Sequence, residues 1–329
     1  MVALPPDPND ISRLIQEILA ELGHNADPAE IARRVRGLDR GLPAEDEFSV
    51  LCGWLGRTRL IHKLDQQQVP VASRDVYQAP DLLAVFEASG PVLIEIKVCR
   101  DLTMSFRPDY LKKLTEYAQL LNLPLLIAWK FHNVWSLFDS RILRLAKTNF
   151  NISHNDAMRQ NLIGVLAGDV AYSLGPGSGI HLDCAKEELT STQDSPDGKI
   201  EQWKMRISGV HFTDGVGRRR DDLHPETKQL FAGCDLESRE IHAPESIRMS
   251  FVAGENQMQF AHAALVHLLA SERSTGEEQN WRHLLRVPEV VKSIKDFSGA
   301  LDRALSEGVV HHILHIQPHD WPDFVTRPS

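Results

Sequence analysis

Between Pro80 and Val98 two short apolar runs, Leu82-Leu83-Ala84-Val85-Phe86 and Val92-Leu93-Ile94-Glu95-Ile96-Lys97-Val98, are separated only by Glu87-Ala88-Ser89-Gly90-Pro91. Runs this short and this rich in Leu, Ile and Val, joined by a Gly-Pro link, predict two adjacent strands of a β-hairpin. The strands are apolar on both faces, so the sheet must be covered on both sides by helices, which is the α/β class. Three charges interrupt this setting: Asp81 before the first strand, and Glu95 and Lys97 in the second. A hairpin folded about Ser89 places Asp81 near Lys97 and Leu83 near Glu95, with residues two apart on one face. A slip of one residue would send the charges to the opposite face.

Buried charges at a strand end require a reason. One is an ion-paired strand terminus. The other is metal-dependent phosphodiester hydrolysis, in which two carboxylates hold a divalent cation and a lysine positions or activates water. A Glu-x-Lys triplet or a Pro-Asp pair alone says little. Of the five Pro-Asp pairs, beginning at Pro6, Pro80, Pro108, Pro196 and Pro322, only the one at Pro80 opens an apolar strand leading to a second strand with Glu-x-Lys.

In this combination residues 44–138 resemble the PD-(D/E)XK nuclease superfamily, which includes restriction endonucleases and archaeal Holliday-junction resolvases. The resemblance implies a restriction-endonuclease-like core, a central mixed sheet flanked by helices. It implies catalytic roles for Asp81, Glu95 and Lys97, Mg²⁺ (or Mn²⁺) as cofactor, and nucleic acid, DNA in preference to RNA, as substrate. Many members add an acidic residue from the preceding helix. Glu47 stands where that ligand is expected, giving a metal set of Asp81, Glu95 and Glu47, with Glu45 and Asp46 as rivals. The family also suggests a role in restriction or anti-phage defence, and action as a homodimer or with a partner protein. The alternative is a catalytically silent or partner-activated module that binds nucleic acid or protein.

The remaining residues bound these readings. The 329-residue chain is long enough for two domains. The order helix, strand, hairpin, helix, strand places the nuclease core at 43–140, after a helical segment at 1–42 and before an α+β recognition or partner-binding domain at 141–329. Residues 10–22 and those after Asp27-Pro28 carry helix signals. Pro43 to Thr58 predicts the helix bearing Glu47, whose first-turn carboxylates could equally complement the helix dipole. Leu60–Leu64 and Val69–Ala72 suggest extended segments; Pro108 opens a helix ending at Asn122, and strands follow at 125–129 and 134–138.

The net charge of −9 argues against a protein that coats nucleic acid non-specifically, though an acidic site needs only a local basic rim. Four scattered cysteines form no Cys-x-x-Cys pair, which excludes a zinc ribbon and predicts reduced thiols. No apolar run approaches the roughly 20 residues of a membrane span and the amino terminus lacks a leader pattern, so a cytoplasmic location without membrane contact is expected.

In the carboxy-terminal half, Gly175-Pro176-Gly177-Ser178-Gly179 lacks the Gly-Lys-Ser/Thr of a phosphate loop. Residues 190–199 read as an exposed loop turning at Ser195–Gly198, with one or two strands at 200–212. Arg218-Arg219-Arg220 is expected to be neutralised by Asp221 and Asp222. Helices are expected at 257–270 and 288–306, and a strand at 309–316 with His311 and His315 on one face.

Overall fold

The computed structural model describes residues 44–65, 72–196, 198–255, 257–272 and 296–326. The helices expected before residue 43, the extended segment at 69–71 and the start of the helix expected at 288 lie outside the described residues. Its centre is a five-stranded mixed sheet of β1 (Thr58–Lys63), β2 (Leu82–Phe86), β3 (Pro91–Val98), β5 (Leu125–Phe131) and β6 (Val134–Asp139). The strand order is β1-β2-β3-β5-β6. Only β3 and β5 are parallel, since a helical crossover joins them, and the other neighbours are antiparallel. The chain has the α/β restriction-endonuclease-like core expected from the sequence, followed by an α+β half.

Period-two alternation sorts the apolar residues of β2 to β6 onto the two sheet faces. Leu82, Ala84, Ile94, Ile96, Leu126, Ala128, Trp135 and Leu137 form one face, under α1 (residues 44–54) with its Phe48, Leu51 and Cys52. Leu93, Leu125, Ile127, Trp129 and Phe138 form the other, under α3 (Pro108–Leu121) through Leu111, Leu114 and Ala118. Pro108 suits the first turn of α3 because its missing N–H would have no partner there. Asn122, at φ 53°, ends the helix in the left-handed conformation. A small sheet of β4 (Thr103–Phe106), β8 (Asn149–Ser153) and β7 (Arg144–Ala146) packs beside α3, burying Met104, Phe106 and Ile152.

The carboxy-terminal half completes the first core face. Leu162, Ile163 and Leu166 of and beside α5 (Ile163–Ala167), Tyr172 of β9 (Ala171–Leu174), Leu265 of α7 (Ala261–Glu272) and Phe297 of α8 (Phe297–Ser306) share one buried cluster with α1 and the central sheet. The proposed boundary at residue 140 therefore falls inside a continuous core. Gly168, at φ 97°, ends α5, and a Cβ there would lie 2.7 Å from the Leu55 carbonyl, so glycine permits the close approach to α1. His262 fastens the same junction. Its Nε2 accepts the Trp135 N–H at 3.0 Å, which places the proton on Nδ1, and Nδ1 donates to Asp169 Oδ2 at 2.7 Å. The residue is fully buried.

Residues 190–195, expected as loop, are paired strand. β10 (Gly179–Ser195) and β11 (Gly198–Thr213) form a long antiparallel ribbon, while β10 pairs with β13 (Ser246–Val252) only as far as Ala185. Residues 190–195 are polar on both faces, so this stretch lacks the apolar alternation that marks a half-buried strand. Arg219 and Arg220 are held by Asp221 and Asp222 as expected. The second expected helix is described from Phe297 to Ser306 with Gly308 after it at φ 75°, and the last strand, β15, spans Val310–Leu314. No described helix is long and apolar enough to cross a membrane.

Two outcomes follow from the shared core. A chain ending near residue 145 is expected to lack a cooperative thermal transition, because α1 and β6 lose their cover. In the full chain, His262→Ala strands the Trp135 N–H and Asp169 Oδ2, while the backbone N–H of residue 262 still holds Oδ1, a loss of about 3 kcal/mol measurable by urea denaturation.

Candidate active site

The hairpin pairs Leu82 with Ile94 and Leu83 with Leu93. One further step along the ladder sets Asp81 against Glu95. The register is therefore displaced by two residues from the expected one, and a displacement of two leaves every side chain on its own face. Asp81, Glu95 and Lys97 accordingly gather on the α3 side at the end of β2 and β3. Asp81 Oδ2 accepts the Ile96 N–H at 2.7 Å, which pins the carboxylate across the strand gap.

Glu95 is 1% exposed. Lys97 Nζ and the Tyr110 hydroxyl each donate to its Oε1 at 2.5 Å, and Lys97 Nζ lies 3.3 Å from the Tyr110 oxygen. Tyr110 projects from the first turn of α3, and the ammonium of Lys97 sits 4.7 Å from the centre of its ring. Lys97 remains one-third exposed, so this side of the cluster opens to solvent. Glu95 Oε2 is buried with no hydrogen-bond partner.

Desolvation drives the Asp81 carboxyl well above its ordinary pKa, and the charges of Glu95 and Glu45 add to it; the Ile96 N–H and Lys97 oppose the rise. Burial and the same carboxylates push the Tyr110 hydroxyl upward, so it stays a donor. Glu45 is also raised, by desolvation first, against the pull of Lys63.

The geometry corrects the assignment of Glu47. Its Oε2 accepts from Lys130 at 2.6 Å and its Oε1 from the Trp135 indole at 2.9 Å, on the opposite face of the sheet. Both oxygens are engaged in a buried structural pair. Glu45 is the α1 carboxylate whose charge reaches Asp81, Glu95 and Tyr110, while its side chain pairs with Lys63 at 3.0 Å. Asp46 pairs with the same lysine at 2.5 Å. Successive helical residues point about 100° apart, so three adjacent acids cannot serve one site, and only docking decides which does. Tyr110 was hidden in the sequence, because on the apolar stripe of α3 it reads as a packing residue and nothing there signals its hydroxyl.

No group of three or more His, Cys, Asp or Glu stands ready to enclose a metal among the described residues. The donor set nevertheless fits a hard divalent cation. Asp81 and Glu95 offer carboxylate oxygens, Glu95 Oε2 is an orphaned acceptor, and the negative charge exceeds what Lys97 neutralises. His311 and His315 form no such group.

A cluster of this kind lowers stability until its charge is offset. Because the folded-state pKa of Asp81 is raised, ionising it weakens the fold as pH climbs above the ordinary carboxylate value. Asp81→Asn is thus expected to raise the stability of metal-free protein at pH 7 by about 1 kcal/mol, with no gain near pH 3, where both forms are neutral. Thermal melts at the two pH values in the presence of chelator measure this.

Among known proteins, residues 70–167 match the family model of the archaeal Holliday junction resolvase, Hjc. The chain is also similar to the solved structure of Hjc, a Holliday junction resolvase from the archaeal hyperthermophile Archaeoglobus fulgidus. That match has 20% identity, covers 35% of this chain and 89% of that one, and has a TM-score of 0.30, so it adds no argument to that of the family model. No curated protein sequence matches the chain. The matched segment contains β2, β3, α3, Asp81, Glu95, Lys97 and Tyr110, so the part of the chain that carries the carboxylate cluster is the part similar to the archaeal Holliday junction resolvase family.

Proposed function

We propose that the chain is a divalent-metal-dependent endonuclease that cuts DNA at four-way junctions, with Asp81 and Glu95 as ligands, Glu45 completing the acidic ring and Lys97 as the catalytic base-side group. The observation that carries this is the pairing of Asp81 with a buried Glu95 whose Oε2 has no partner, beside a partly exposed lysine. The ion, Mg²⁺ or Mn²⁺, supplies Lewis acidity toward the scissile phosphate and lowers the pKa of bound water. Lys97 orients the attacking water and offsets charge gathering on the phosphate. Tyr110 holds Glu95 Oε1, which keeps Oε2 directed to the ligand position, and the Ile96 N–H fixes Asp81.

The preference for DNA junctions rests on the family that residues 70–167 match. Restriction and anti-phage defence use the same chemistry, and the family favours junction processing between them. Resolving a junction takes two cuts and each chain carries one site, so the acting species is a homodimer. A silent binding module would have no use for desolvated carboxylates that weaken the fold.

A labelled four-way junction, a linear duplex and a structured RNA, each incubated with Mg²⁺, Mn²⁺ or chelator, test the proposal. Cleavage of the junction is expected with either ion. Lys97→Ala and Asp81→Asn should each reduce the rate at least about a hundredfold while the protein stays folded. Glu45→Gln should slow cutting more than Glu47→Gln does at temperatures where both remain folded. Cleavage persisting in saturating chelator would sink the mechanism.

A further inference from the structure

We infer that the outward face of the β4-β8-β7 sheet is the track on which the sugar-phosphate backbone of the nucleic-acid substrate lies beside the cutting site; this rests on the nuclease reading above and names where it binds. The register sets Ser105 against Asn151 and Asn151 against Arg144, and Thr103 against Ser153. These side chains share one face, because Met104, Phe106 and Ile152 of the alternate positions are buried. Arg107 continues the face past the end of β4. Lys147, at φ 57°, occupies the turn between β7 and β8. Arg107, Arg144 and Lys147 are exposed, and none makes an ion pair among the described residues. No strand residue of this sheet is acidic. The nearest carboxylates in sequence, Asp101, Asp109 and Asp156, lie outside its strands, and Asp156 is occupied by the Ser153 hydroxyl at 2.6 Å.

The chemistry of the face points to phosphate rather than to a protein. Ser105 donates its hydroxyl to Asn151 Oδ1 at 2.8 Å, which orients that amide so that its N–H groups are left to donate outward. Hydroxyl and amide donors interleaved with unpaired guanidinium and ammonium groups are the partners of phosphate oxygens. In a chain of net charge −9, three strands without an acidic residue are a local exception. The sheet meets the site through its other, buried face. Ser105 and Arg107 flank Phe106, whose ring is 5.7 Å from Lys97 Nζ and stacks on Tyr110 at 6.3 Å. The Trp129 indole donates to the Cys99 carbonyl at 2.9 Å, which ties the segment leading into β4 to the central sheet. Arg107 joins β4 to α3, whose first turn carries Tyr110, so a backbone that follows the outward face to its Arg107 end reaches the edge of the cluster of Asp81, Glu95 and Lys97.

Binding of a labelled four-way junction and a linear duplex by the full chain, with chelator present to prevent cutting, tests this over a salt titration. Arg144→Ala combined with Lys147→Ala is expected to weaken binding about tenfold and to lower the slope of log affinity against log salt by about 1 per residue removed. Arg144→Lys with Lys147→Arg should keep the wild-type slope, which separates lost charge from lost structure. Lys204→Ala with Arg206→Ala, on the ribbon and paired with Glu188 and Glu187, should leave affinity and slope unchanged. If the wild type binds and cuts but the Arg144/Lys147 double alanine variant keeps its affinity and slope, the track lies elsewhere and the nuclease reading stands. If the wild type binds no nucleic acid, both fall together.

Discussion

Two carboxyl groups, Asp81 and Glu95, are forced side by side by the hydrogen-bond ladder of one hairpin, and the rest of the fold is arranged to make that bearable. Facing carboxylates repel, and burial denies them water, so such a pair persists only where surrounding structure over-determines it. The ladder from Leu82 to Val85 fixes the approach, and the Ile96 N–H fixes Asp81. On the solvent side Lys97 and Tyr110 bind one oxygen of Glu95 and leave the other without a partner. A site pre-strained in this way would gain free energy on binding the proposed cation, which would turn the instability of the metal-free fold into affinity.

The sheet, its two apolar faces and the three charges at its edge were legible because strand pattern has period two. An error of two residues in the hairpin register moved Asp81 from opposite Lys97 to opposite Glu95 yet kept all three on one face. The α1 carboxylate was not legible for the converse reason. A helix turns about 100° per residue, so Glu45, Asp46 and Glu47 are equivalent in a pattern and quite different once α1 docks. Trp135 and Lys130 come from strands more than 80 residues away and claim Glu47. Tyr110 shows the same limit, since a tyrosine on an apolar stripe discloses its ring and not where its hydroxyl will point.

The carboxy-terminal half was legible element by element and not as an assembly. The expected helices and the final strand are present where described, but no local pattern announces that α5, α7 and α8 finish the core beneath β6 and α1. That knowledge resides in long-range contacts such as the fit of Gly168 against Leu55 and the bonds of His262 to Trp135 and Asp169. Residues 190–195 were misread as loop because alternation reveals a strand only when one face is dry.

The shared core also limits how the larger half can govern the smaller. A regulatory domain joined by a linker can swing away, whereas here the elements that cover β6 are the same ones that would have to move. Displacing α7 would uncover His262 and Trp135 and strand Asp169 in the interior, so the cost is that of partial unfolding rather than of hinge bending. Influence on the site must then act through surfaces that stay in place. The central sheet has α1 and the carboxy-terminal elements on one side, and α3 with the small sheet on the other. Lys97 opens on the second side. A substrate of the proposed kind would thus meet the carboxylates without disturbing the buried junction, and the net negative charge of the chain would turn a polyanion away from the rest of its surface.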